Sequence, residues 1–273
     1  MVAMTRMNPL RRAGVALLLA LALVTAFTTS ATAGSERAAA QMNVFAAASL
    51  TEAFPKFDGA QKYNFAGTDA LAAQIRLGAP ADVFAGASPD APQALYRAGL
   101  VEQPVTFATN RLVLAVPAAN PADITSVYDL RRSGIKLVLG TPTVPIGIYT
   151  RQVLGYLGLR NAALKNVVSL EANVNAISAK VALGTADAGF MYATDARTVS
   201  DKLKLIPLPV WAQPPVRYQI AIVKSTRNRA DAVAFIKRLT STAGRKLLVD
   251  YGFGVPKLPP VKEPAKKKQK TSP

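Results

Sequence analysis

Apolar residues fall along this chain in two rhythms. Short runs of four to six, too brief for helices, occur at residues 42–47, 63–66, 82–85, 111–116, 136–139, 188–191, 205–208 and 219–223 and predict β-strands. Between them apolar positions return at helical spacing. Leu71 and Ile75 share one face, and Val174, Ile177 and Val181 share another that Gly184 ends. Residues 228–239 predict a further helix, and Ser241 or Thr242 opens one that stops at Gly252. Strands alternating with helices predict an α/β fold with mostly parallel sheets. Two strands, 111–117 and 218–223, are strongly apolar and have no hairpin partner nearby in sequence. As crossings between two lobes they leave a cleft ringed by helix starts, where a ligand fits.

Two junctions repeat one device, a short apolar strand running into a hydroxyl residue that opens a helix. They are Val44-Phe45-Ala46-Ala47-Ala48-Ser49-Leu50 and Tyr63-Asn64-Phe65-Ala66-Gly67-Thr68. A helix start offers unpaired N–H groups and a partial positive charge, so with a hydroxyl added it suits an anion. No cationic side chain lies in either junction, which points to an ionised oxyanion held by neutral donors. Each junction also has a plainer reading. Ser49-Leu50-Thr51-Glu52 fits a capping box, with Glu52 at its third position. Thr68 or Asp69 fits an ordinary cap, with Gly67 before them allowing unusual backbone angles and the close approach of a ligand. Val144-Pro145-Ile146-Gly147 is a third helix start, where proline suits the first turn and the N–H groups of Ile146 and Gly147 remain to donate. Val174, after Glu171-Ala172-Asn173, lies at a fourth; its side chain reads as core and its N–H as facing the cleft. Tyr192 ends the strand 188–191, where its hydroxyl reaches a ligand or its ring simply packs. Asp82, Asp187 and Asp195 read as turn and cap residues rather than acids at work.

Composition narrows the chemistry. The 273 residues contain no histidine and no cysteine, which excludes Ser-His-Asp and Cys-His nucleophiles, zinc sites built on those residues, and thiol redox work. Arg6, Arg11 and Arg12, the apolar run 13–27 and Ala31-Thr32-Ala33 predict an export signal over residues 1–33, with cleavage after Ala40 as the alternative site. Without cysteine there is no lipidated N-terminus, so a periplasmic or secreted protein is expected. The net charge of +17 is concentrated at the ends: three arginines in the signal and a net five in the tail 257–273 leave +9 on the body. That Lys/Pro tail reads as disordered, and because no aromatic interleaves its lysines, nucleic-acid binding is not expected.

Six motifs in order then carry a resemblance: Phe45-Ala46-Ala47-Ala48-Ser49-Leu50, Leu71-Ala72-Ala73-Gln74-Ile75, Gly78-Ala79-Pro80-Ala81-Asp82-Val83-Phe84-Ala85, Val144-Pro145-x-Gly147-Ile148-Tyr149, Tyr192-Ala193-Thr194-Asp195-Ala196 and Tyr251-Gly252-Phe253-Gly254. Across about residues 42–256 the chain resembles the molybdate-binding proteins of ABC importers. The resemblance implies a type II, two-lobed periplasmic binding fold, each lobe a mostly parallel sheet flanked by helices, linked by two crossover strands. The first lobe is expected over 42–110 and 219–256, the second over 111–218. It implies molybdate or tungstate as ligand, met as an oxyanion and not as a bare metal cation, with no other cofactor. It places the ligand on the hydroxyls of Ser49, Thr68 and Tyr192 and on the backbone N–H groups of Ile146 and Val174. It implies a permease and its ATPase as partners, and a monomeric shuttle. Three departures stand out: Thr68 where serine is usual, bringing a methyl group into the pocket wall; Asp69-Ala70 in place of a hydroxyl-rich stretch; and a first helix cut short by the 14 residues between Leu50 and Phe65.

Molybdate is a proton-free dianion, so its site should offer donors only, whereas hydrogen phosphate carries a proton and needs an acceptor. Asp69 is the nearby carboxylate that would supply one if it pointed inward. The rival readings are a binder of another oxyanion such as sulfate, an exported enzyme with Ser49 as nucleophile, and an interaction module acting through its basic tail.

Overall fold

The computed structural model describes residues 41–256; the expected signal 1–33 and tail 257–273 lie outside the described residues. In chain order the elements are β1 (Asn43–Ala47), α1 (Ala53–Phe57), β2 (Lys62–Ala66), α2 (Thr68–Arg76), β3 (Val83–Gly86), α3 (Asp90–Arg97), β4 (Val105–Asn110), β5 (Leu112–Pro117), β6 (Leu137–Gly140), α4 (Pro145–Tyr156), α5 (Arg160–Leu164), β7 (Val167–Glu171), α6 (Val174–Ala182), β8 (Ala188–Tyr192), α7 (Ala193–Thr198), β9 (Leu203–Ile206), β10 (Val216–Ile222), α8 (Arg229–Thr240) and α9 (Thr242–Asp250). They build two five-stranded sheets, ordered β2-β1-β3-β10-β4 and β7-β6-β8-β5-β9.

In each sheet four strands run one way and the fifth runs against its neighbours. The reversed strands are β10 and β5, the two apolar strands that stood apart in the sequence. Each arrives from the other sheet: β5 follows β4 across Asn110 and Arg111, and β10 returns after β9. A central strand is covered on both faces, which is why all six residues of β5 are buried and why its sequence reads as an unbroken apolar run. Residues 216–218 belong to the first sheet, where Val216 pairs with Asn110, so the return crossing precedes the expected boundary at 219. Val216 and Tyr218 are buried there, which draws these residues into that sheet.

Two strands escaped the sequence pattern, β4 and β7. Both lie at sheet edges, and their residues are largely half-exposed, so they carry Thr, Asn, Ser and Glu instead of a continuous apolar signal. The short α1, five residues long, matches the shortened first helix. Asp82 and Asp187 act as strand-start anchors. The carboxylate of Asp82, before β3, accepts from the Asn43 N–H at 2.7 Å, and that of Asp187, before β8, accepts from the Lys136 N–H at 2.7 Å. The same fastening thus recurs in both lobes.

Candidate functional site

Where the ends of β1 and β2 in the first lobe face the starts of α4 and α6 and the end of β8 in the second, the lobes border a small cavity. It offers about 20 Å³, on the measure by which one water needs about 10–15 Å³. Ser49, Thr68, Ile146, Val174 and Tyr192 all line it, and each is at most 8% exposed. The remaining lining is mostly alanine, glycine and backbone, and among the described residues no charged side chain takes part.

Ser49 lies within a 3-10 turn, Ala48–Leu50, whose cap is Ala47 with no side-chain bond. The capping-box expectation is therefore corrected. The turn is too tight for it, α1 starts only at Ala53, and Glu52 is itself the cap residue of α1, without a side-chain cap bond. The Ser49 hydroxyl instead lies 2.8 Å from the Tyr218 hydroxyl. Thr68 opens α2, and its Oγ1 accepts from the Ala87 N–H at 3.1 Å, leaving its own proton to donate. The Thr68 methyl sits against Gly86, where a Cβ would come within 2.9 Å of it, so the missing side chain at Gly86 makes room for threonine.

Gly67 has ordinary angles (φ −59°, ψ 138°), contrary to expectation. Glycine is required there by the opposite lobe: a Cβ would fall 2.4 Å from the Ala172 carbonyl oxygen. Asp69 is likewise turned across the cleft. Its carboxylate accepts from the Thr143 hydroxyl at 2.8 Å and stays out of the cavity wall. Asn175 Nδ2 adds a third interlobe contact, donating to the Ala48 carbonyl at 3.3 Å.

Pro145 occupies the first turn of α4, leaving the Ile146 N–H without an intrahelical acceptor. Asn173 caps α6 by accepting from the Ala176 N–H at 3.1 Å, which leaves the Val174 N–H in the same state. The two helix dipoles add positive potential at the cavity. Tyr192 ends β8, and its hydroxyl is buried with no partner among the described residues, a condition only Thr150 shares there. Burial, and then the neighbouring Tyr218, hold the Tyr192 phenol well above its ordinary pKa, so it remains a donor. Sequence reasoning missed Tyr218 and Asn110. Tyr218 read as one more apolar strand residue, and Asn110 lay in a strand that the pattern did not show.

A larger cavity, about 410 Å³, lies on the far side of Ser49. It mixes Glu52, Asp195 and Asp250 with Arg197 and so lacks the donor-only character of the small one. Asp195 is buried there, and desolvation raises its pKa from 3.8 to about 7 against a weaker opposing pull from the Thr194 hydroxyl. Between those values the folded protein holds a proton that the unfolded chain has released. Stability from this group therefore falls as pH rises from about 4 to about 7, by at most about 1.4 kcal/mol per pH unit, and levels off above. Denaturant melts of wild type and Asp195→Asn across this range should show the decline only in wild type.

Two α/β lobes joined by two crossings, closing on a small donor-lined cavity, define a periplasmic binding protein. The chain belongs to the bacterial extracellular solute-binding proteins, whose family model matches residues 43–254. Its relatives include the molybdate-binding protein ModA of Mycobacterium tuberculosis H37Rv, 38% identical over 83% of this chain and 89% of that protein. ModA of Haemophilus influenzae is 35% identical over 79% of this chain and 91% of its own length. The solved structure of the Azotobacter vinelandii periplasmic molybdate-binding protein matches with TM-score 0.71 and 25% identity, covering 79% of this chain and 100% of that one. The family captures solutes and does not transform them, so Ser49 is not an enzymatic nucleophile. Among the described residues no helix is long and apolar enough to cross a membrane.

Proposed function

We propose that this chain captures molybdate, and tungstate of nearly the same size, between its lobes and delivers it to an ABC importer. One observation carries the reading: hydroxyls from both lobes and helix-start N–H groups from the second converge on one small cavity with no charged side chain in its wall among the described residues. Ser49, Thr68 and Tyr192 bind through hydroxyls, Ile146 and Val174 through backbone N–H. Hydrogen bonds to a charged group contribute about 1.5–3 kcal/mol each, and with two helix dipoles they offset the cost of burying a dianion. Turning Asp69 toward Thr143 keeps its acceptor oxygens away, which disfavours hydrogen phosphate.

The lobe division is 42–110 with the returning segment to 256, against the intervening residues. Residues 1–33 act as a cleavable export signal, so the protein works in the periplasm as a monomer without a further cofactor, and a permease with its ATPase receives the ligand. Calorimetric titration of the mature protein with molybdate, sulfate and phosphate tests this. Tight one-to-one binding of molybdate with far weaker sulfate and phosphate is expected; equal or tighter sulfate or phosphate binding overturns the ligand assignment.

A further inference from the structure

A serine hydroxyl can give or take a hydrogen bond, so a donor-only cavity needs something to set its direction. Behind Ser49 lies a chain of partners that does so. The Asn110 side-chain carbonyl accepts from the Arg111 N–H at 2.9 Å. That backbone group can only donate, so the amide orientation is fixed and both Nδ2 hydrogens point the other way. One goes to the Thr194 hydroxyl at 2.9 Å, the other to the Tyr218 hydroxyl at 3.3 Å. Thr194 passes its own proton to the Asp195 carboxylate at 3.2 Å. Tyr218, having accepted from Asn110, has its proton left for Ser49, 2.8 Å away. The reverse order would leave the proton of a fully buried phenol with no acceptor. Ser49 therefore accepts from behind and keeps its single proton for the cavity.

We infer that Asn110 and Tyr218 are specificity-determining positioning residues: by fixing the direction of the hydrogen-bond chain, they make Ser49 an obligate donor and so favour proton-free oxyanions over protonated ones. The frame suits the task. The Tyr218 ring packs edge-on against Phe107, Tyr192 and Phe253, with centroids 5.5–6.1 Å apart, so its hydroxyl cannot wander. Burial, and then the charge of Asp195, push its pKa well above the ordinary value, keeping the proton in place. Asn110 ends β4 at the outgoing crossing, with one hydrogen to each lobe's polar network. The direction set at Ser49 is therefore anchored at the link between lobes.

This inference rests on the oxyanion reading of the cavity, and the test separates the two. Molybdate, sulfate and phosphate are titrated calorimetrically into wild type, Tyr218→Phe and Asn110→Asp at mildly alkaline pH, where phosphate is a singly protonated dianion. Tyr218→Phe keeps the ring packing and frees Ser49 to turn. Asn110→Asp replaces the donating amide with a second acceptor. Tyr218 then donates to it, Ser49 donates to Tyr218, and a lone pair faces the cavity. Added negative charge weakens all three ligands, so the ratio of affinities is the readout. The sulfate-to-phosphate and molybdate-to-phosphate ratios should fall about 10-fold or more in Asn110→Asp, and by a smaller factor in Tyr218→Phe, about 1.4 kcal/mol corresponding to tenfold. A merely structural role would weaken every ligand alike. Unchanged ratios in folded variants that still bind molybdate overturn the positioning role and leave the oxyanion reading standing. Wild type that binds no oxyanion overturns both. Thermal melts identify a variant that fails to fold, and Tyr218→Phe then decides alone.

Discussion

Gly67→Ala is expected to leave the unliganded protein as stable as wild type while weakening molybdate binding by about 100-fold or more, about 2.7 kcal/mol. The expectation follows from what the new methyl group meets. Gly67 has φ −59° and ψ 138°, angles that alanine adopts freely, and within the first lobe the added Cβ meets the end of the flexible Asp69 side chain at 2.9 Å, which can turn aside. The obstacle is in the second lobe, where the Ala172 carbonyl oxygen lies 2.4 Å from the added Cβ. Backbone on the far side of a cleft yields only by holding the lobes apart. An open cleft separates Ser49 and Thr68 from the N–H groups of Ile146 and Val174 and admits water between them. Affinity falls with the fraction of closed protein, while the backbone of each lobe keeps its conformation. Titration calorimetry and thermal melts measure the two effects separately, and small-angle scattering with saturating molybdate should show the variant more extended than wild type. Affinity within threefold of wild type would mean that closure tolerates the methyl and that Gly67 has another purpose.

What the sequence made legible, and what it hid, divides along the range of the interaction. Pro145 and Asn173 announce the starts of α4 and α6 because a helix start is a local event, set by the few residues around it. The continuous apolar run of β5 announces a strand covered on both faces for the same reason. Such local signals marked the helix starts and the strand end as candidates, with plainer readings beside them, and the family resemblance selected from them the five residues that line one cavity. The hidden features depend on partners far along the chain. Ser49 looked like a capping-box serine because Glu52 stands three residues on, yet its partner is Tyr218, 169 residues away. Asp69 carried an acceptor of unknown direction until Thr143, 74 residues later, drew it outward. Gly67 suggested unusual backbone angles, but Ala172 sets the requirement from the opposite lobe. Edge strands β4 and β7 were lost for a different reason: their side chains are only partly buried, so the apolar pattern that marks a strand is diluted.

Tyr192→Phe should change stability and affinity in opposite directions. The Tyr192 hydroxyl is buried and has no partner among the described residues, and leaving such a group unsatisfied costs about 1–3 kcal/mol. Removing it while keeping the ring, which packs against Tyr218 at 5.9 Å, should leave the unliganded melting temperature unchanged or raise it. The same hydroxyl, held protonated by burial and lining the donor cavity, should give the bound oxyanion one charge-assisted hydrogen bond. Its loss should weaken molybdate by about 10–100-fold, the equivalent of about 1.5–3 kcal/mol. Ser49→Ala makes the contrast. It also weakens binding, but it deprives the buried Tyr218 hydroxyl of its 2.8 Å partner and so should lower the melting temperature as well. Among the described residues the Tyr192 hydroxyl has no bonding partner other than a ligand, so trimming it costs binding alone, whereas Ser49 serves both a ligand and Tyr218, so trimming it costs both. A Tyr192→Phe protein that melts lower and binds molybdate unchanged would place Tyr192 among the packing residues and take its hydroxyl out of the proposed site.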